Sequence, residues 1–77
     1  EKQFFSVQVG AFSDCARAKA LVASLQQAGE YAYIVEMTDA QDRTLYRVRV
    51  GEFSRLDEAE TVRGKLSQQG YPAKVYP

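Results

Sequence analysis

Two arginines, one glutamine and a few aromatics are the side chains in this sequence best equipped to hold a ligand. Arg47 and Arg49 stand two residues apart, which on a strand puts both on one face. Guanidinium groups so placed can take a carboxylate through charge-assisted, bidentate hydrogen bonds. Gln8 both donates and accepts, and so suits amides and hydroxyls. Phe4, Tyr33 and Tyr76 offer apolar ring surface. These are tools of binding rather than of catalysis. The chain has no histidine, which removes the usual base beside a Ser or Cys nucleophile and a frequent metal ligand. The acidic residues cluster on the second predicted helix and in a polar loop, leaving no carboxylate pair beside the arginines for acid–base hydrolysis. There is no Gly-rich phosphate loop. The one cysteine, Cys15, cannot close an internal disulfide and reads as part of a helix's buried stripe. No catalytic residue, metal site or cofactor is expected.

These side chains need a sheet to stand on, and the chain specifies its parts twice. Val7-Gln8-Val9-Gly10-Ala11-Phe12-Ser13 returns forty-one positions later as Val48-Arg49-Val50-Gly51-Glu52-Phe53-Ser54. Aligning residues 5–35 with 46–76 gives 31 positions and ten identities: Val7, Val9, Gly10, Phe12, Ser13, Ala18, Leu25, Gln27, Gly29 and Ala32 with their partners. Each copy runs strand, helix, strand.

Alternation predicts strand one over Phe4–Val9, with Phe5, Val7 and Val9 on one face and Phe4, Ser6 and Gln8 on the other, and Gly10 ending it. Ser13 or Asp14 should cap a helix whose stripe is Cys15, Ala18, Leu21, Val22, Leu25 and Ala28, closed by Gly29. Tyr31–Met37 reads as strand two, the polar run Thr38–Arg43 as a hairpin loop, and Thr44–Val50 as strand three. In strand three Tyr46, Val48 and Val50 share the inner face, and Leu45, Arg47 and Arg49 the outer. Ser54 should cap the second helix, with Leu56, Ala59, Val62 and Leu66 as its stripe and Gly70 at its end. Asp57, Glu58 and Glu60 load its first turns with charge that suits the helix dipole. Ala73–Tyr76 makes a short edge strand, and Glu1–Gln3 a frayed terminus.

The order β-α-β-β-α-β is the split-βαβ, ferredoxin-like and RNP-like arrangement of the α+β class. Right-handed crossovers place both helices on one face of a four-stranded antiparallel sheet, order 4-1-3-2, and leave the other face open. Seventy-seven residues suit a single domain, 1–77. Ten basic residues balance ten acidic ones, which argues against general nucleic-acid binding. No apolar run approaches the roughly 20 residues of a membrane span. The absence of a signal peptide and the initial Glu1 suggest a fragment of a longer protein, and the domain is expected to be monomeric.

The doubled Val-Gln-Val-Gly-Ala-Phe-Ser and Tyr-Arg-Val-Arg-Val-Gly-Glu-Phe-Ser, each leading into a helix that ends in Gly, resembles the SPOR (sporulation-related repeat) family of bacterial envelope proteins from about Phe5 to Tyr76. The resemblance implies an RNP-like fold and a non-catalytic module that binds peptidoglycan. It implies a preference for denuded glycan strands, those that amidases have stripped of stem peptides, and so targeting of a parent protein to the division septum. The expected place is the periplasm or cell envelope, with any transmembrane anchor outside this segment. By motif, the glycan-binding residues would be Gln8, Ala11 and Arg47. Leu45 stands where some members carry Trp, and no second cysteine is present for the disulfide of others. Face parity adds Arg49, Tyr33, Phe4 and Tyr76. A protein-interaction or RNA-binding role on the same fold is the alternative, although strand three presents no outward aromatics of the kind RNA recognition motifs use.

Overall fold

A computed structural model describes residues 4–77, so the expectation for Glu1–Gln3 lies outside the described residues. The elements are β1 (Phe5–Phe12), α1 (Cys15–Gln27), β2 (Ala32–Thr38), β3 (Thr44–Phe53), α2 (Leu56–Gln68) and β4 (Lys74–Tyr76). All strand pairs are antiparallel and the order is β2-β3-β1-β4, the expected 4-1-3-2 read from the other edge.

One face of the sheet carries the core. Val7 and Val9 from β1, Ala32 from β2 and Val48 and Val50 from β3 meet Ala18 and Leu25 of α1 and Leu66 of α2. Both helices therefore lie on the same side. Their stripes are narrower than the sequence suggests: Ala28, the C-cap of α1, is exposed, and Leu56, the first residue of α2, is 52% exposed.

The strands differ most from expectation at the two glycines of the repeat. Gly10 and Gly51 do not end their strands. β1 continues to Phe12 and β3 to Phe53, and the β1–β3 ladder shifts register between Phe5 and Val7 and between Gln8 and Gly10. These are β-bulges, which insert an extra residue and turn the following side chains over. The glycines permit them by close approach. A Cβ at Gly10 would lie 2.9 Å from the Phe12 ring, and one at Gly51 would lie 2.4 Å from the Phe53 ring. Gly51 also has φ +77, a left-handed conformation that side chains resist. Gly-x-Phe is thus one device, in which the ring folds back over the glycine two residues before it.

The helix starts differ between the copies. Asp14 caps α1, accepting from the Ala16 N–H at 2.9 Å, as one of the two sequence alternatives required. Ser54 does not cap α2. Arg55 holds that position and makes no side-chain cap bond, since α2 begins one residue later than a Ser54 cap requires. Instead Asp57 pairs with Arg55 at 3.1 Å.

Candidate functional site

The face opposite the helices can be read row by row from the register. In the first row Lys74 of β4 is opposite Gln8 of β1, Gln8 is opposite Arg49 of β3, and Arg49 is opposite Tyr33 of β2. In the second, Ala11 of β1 is opposite Arg47, which is opposite Val35. Farther along, Leu45 is opposite Met37. On the near side Ser6 is opposite Tyr76. None of these paired outward residues is acidic. A chain with no net charge therefore presents Arg47, Arg49 and Lys74 together on one surface, and no salt bridge engages them among the described residues.

The bulge is what completes the second row. Strict alternation from Val9 would turn Ala11 inward. With the extra residue between Gln8 and Gly10, Ala11 comes out beside Arg47 and is exposed. Its methyl leaves the guanidinium approachable from the β1 side.

Arg49 sits in tighter surroundings than Arg47. Its Cζ lies 4.1 Å from the centre of the Tyr76 ring, against 6.0 Å for Arg47. Both fall within cation–π range, and the nearer is the stronger. Arg49 Nε and, on the residue facing it, Gln8 Oε1 are shielded from solvent and have no hydrogen-bond partner among the described residues. A shielded donor or acceptor left unmade costs roughly 1–3 kcal/mol, so this row of the sheet is held under strain in the free protein.

The aromatics divide. Tyr76 is part of the arginine cluster. Tyr33 flanks Arg49, but its hydroxyl already donates to the Gly51 carbonyl at 3.0 Å, so it contributes ring rather than polar tip. Its ring tilts against that of Tyr31, with centroids 5.3 Å apart. Tyr31, which the sequence reads merely as a strand start, precedes β2 and is 63% exposed, so the pair widens the aromatic surface beside Arg49. Phe4 precedes β1 outside the ladder, half exposed, and is not brought into the arginine rows. Leu45 lies at the opposite end, 37% exposed, lining an open cleft with Ser13, Asp39, Arg43 and Thr44.

That cleft's hairpin side is fixed by Asp39. Its carboxylate accepts from the Gln41 and Arg43 backbone N–H groups and from Arg43 Nε, each at 2.9 Å. The Arg43 N–H above all lowers its pKa; desolvation, the next largest effect, opposes this, and the Gln41 N–H and the Arg43 guanidinium add to the lowering, so that the carboxyl lies below the ordinary 3.8.

The SPOR domain family model matches residues 1–77. The chain belongs to the SPOR family. Its fold is also that of solved relatives. The peptidoglycan-binding domain of the B. subtilis cell wall lytic enzyme CwlC superposes with a TM-score of 0.80 at 29% identity, covering 99% of this chain and 90% of that one. The SPOR domain of P. aeruginosa RlpA gives 0.78 at 24% identity, covering 95% and 97%, a likeness of fold. No curated protein matches significantly. Against the SPOR frame the Gln8, Ala11, Arg47 and Leu45 positions, expected by motif, all fall on the open face, three of them in its two central rows. No helix is long and apolar enough to cross a membrane among the described residues.

Proposed function

We propose that this SPOR domain is a single, monomeric, non-catalytic module that binds peptidoglycan glycan strands through its open sheet face and prefers strands lacking stem peptides. The observation that carries the reading is the acid-free surface on which Arg47, Arg49 and Lys74 gather around Gln8. Removing a stem peptide leaves a free lactyl carboxylate on the muramic acid. Arg47 and Arg49 suit that group through charge-assisted pairs, while Gln8 suits the N-acetyl and hydroxyl groups. An attached peptide replaces the carboxylate with an amide and adds bulk against a flat sheet, so discrimination has a repulsive as well as an attractive part. The membership in the SPOR family and the peptidoglycan binding named for the CwlC domain support the same ligand.

Such strands mark the division septum, and the module would carry its parent protein there, in the periplasm or the cell envelope. Phe4, Leu45 and Tyr33 would offer apolar surface at the margins of the polar rows, with Leu45 the weakest because it replaces an aromatic ring, while Tyr76 would serve the site through the arginines it lies against. The test is sedimentation of the purified domain with sacculi before and after amidase treatment. Stronger binding to treated sacculi is expected. Equal binding removes the denuded-strand preference, and no binding to either removes the glycan reading.

A further inference from the structure

We propose that Tyr76 is a positioning residue for Arg49: its ring, brought across β1 from the edge strand, closes the Nε side of the guanidinium and leaves the two terminal nitrogens as the fork offered to an anion. Tyr76 is opposite Ser6 and Arg49 is opposite Gln8, so β1 lies between them. Yet the ring centre is 4.1 Å from Arg49 Cζ, and the two side chains meet over that strand. A guanidinium can receive a carboxylate on its side, through Nε and one terminal nitrogen, or on its end, through both terminal nitrogens. Of the Arg49 guanidinium nitrogens only Nε is both shielded and unpartnered among the described residues. The end-on approach is the one left open.

The strand beneath Tyr76 gives it a fixed base. β4 pairs with β1 through Ser6, Val7 and Gln8, and Ser6 Oγ donates to the Tyr76 carbonyl at 3.4 Å. A guanidinium held before the ligand arrives loses less freedom on binding. The two arginines thus differ in kind: Arg49 is set in place, and Arg47, 6.0 Å from the same ring, adapts. The inference takes its ligand, the lactyl carboxylate, from the glycan reading above, but its geometry belongs to the free protein.

A double-mutant cycle tests it. Wild type, Tyr76→Leu, Arg49→Ala and the double variant are compared for binding to amidase-treated sacculi, with Tyr76→Phe as the variant that keeps the ring. Alongside, NMR follows exchange of the Arg49 Nε proton with water in the free wild type and in Tyr76→Leu. Tyr76→Leu is expected to weaken binding about threefold to tenfold, the range of a cation–π contact. Tyr76→Phe should bind as wild type, and Tyr76→Leu should have no further effect once Arg49 is alanine. The Nε proton should exchange slowly in wild type and fast in Tyr76→Leu. Losses that multiply in the double variant would overturn the proposal by making the ring itself the ligand contact. Equal exchange in the two free proteins would also overturn it. If wild type binds neither sacculus preparation, the glycan reading falls, and the exchange comparison decides the positioning role alone.

Discussion

At the first strand-to-helix joint the Phe12 ring lies over Gly10, and at the second the Phe53 ring lies over Gly51. Behind each joint an alanine and a leucine one helix face apart are fully buried, Ala18 with Leu25 and Ala59 with Leu66. Where the chain turns outward the copies part. Aligned by the repeat, Ser6 answers to Arg47, Gln8 to Arg49, Tyr33 to Lys74 and Val35 to Tyr76, and every one of those positions falls in the outward rows. Packing is a constraint both halves must meet in the same way, so it preserves identity. A ligand lies across the sheet once and asks something different of each half.

The sharpest way to break the comparison is at the joints themselves. Gly51→Ala combines a left-handed backbone with a 2.4 Å clash and should cost roughly 3 kcal/mol, from strain and overpacking together. Gly10→Ala, with 2.9 Å to the Phe12 ring, should cost about 1–2 kcal/mol. Denaturant unfolding of the two variants ranks them, and equal costs would mean the joints are not built as described.

The outward rows should respond in binding and not in folding. Arg47→Ala is expected to weaken binding to amidase-treated sacculi about tenfold or more, the worth of a hydrogen bond to a charged group, while Tm stays near wild type. Arg47→Lys should recover only part of it, because an ammonium lacks the planar fork.

The helix caps give a smaller contrast. Asp14→Ala removes the bond to the Ala16 N–H and should cost about 1 kcal/mol. Ser54→Ala should cost almost nothing, and Arg55→Asp, which copies the first half into the second, should add up to about 1 kcal/mol. Thermal unfolding distinguishes these.

The mildest effect is at the hairpin, which has no counterpart in the repeat. Because the folded Asp39 pKa lies below its ordinary value, its ionised form stabilises the fold above that value, and the contribution is lost as pH falls through the lowered one. The Tm gap between wild type and Asp39→Asn should therefore narrow in acid below the ordinary carboxylate range and hold steady at neutral pH.

Much of this was legible in the residues. Periodicities of two and 3.6 separate strands from helices, and the doubled phrase fixes the βαββαβ order. Alternation alone puts Gln8, Arg47 and Arg49 outward. The bulges were not legible as such, because Gly10 and Gly51 read equally well as strand ends; the signal was the repeated Gly-x-Phe, whose ring needs a residue without a Cβ beneath it. Ala11 was assigned by motif, and only the bulge explains why it faces out. The Ser54 cap failed because a good capping residue one position early cannot reach the first free N–H groups of α2. The Tyr76–Arg49 stack joins side chains from strands that are not neighbours, and no local pattern encodes it. Cys15 stands half-buried at the start of α1, near the stripe where its spacing placed it.

The central claim is that the ligand lies where the two copies differ. Backbone amide shifts followed while soluble, peptide-free glycan is titrated into the domain test it most directly. Changes should concentrate at Gln8, Ala11, Arg47, Arg49 and Tyr76, with the solvent faces of α1 and α2 silent. Changes centred on the helices, with those five unmoved, would contradict it.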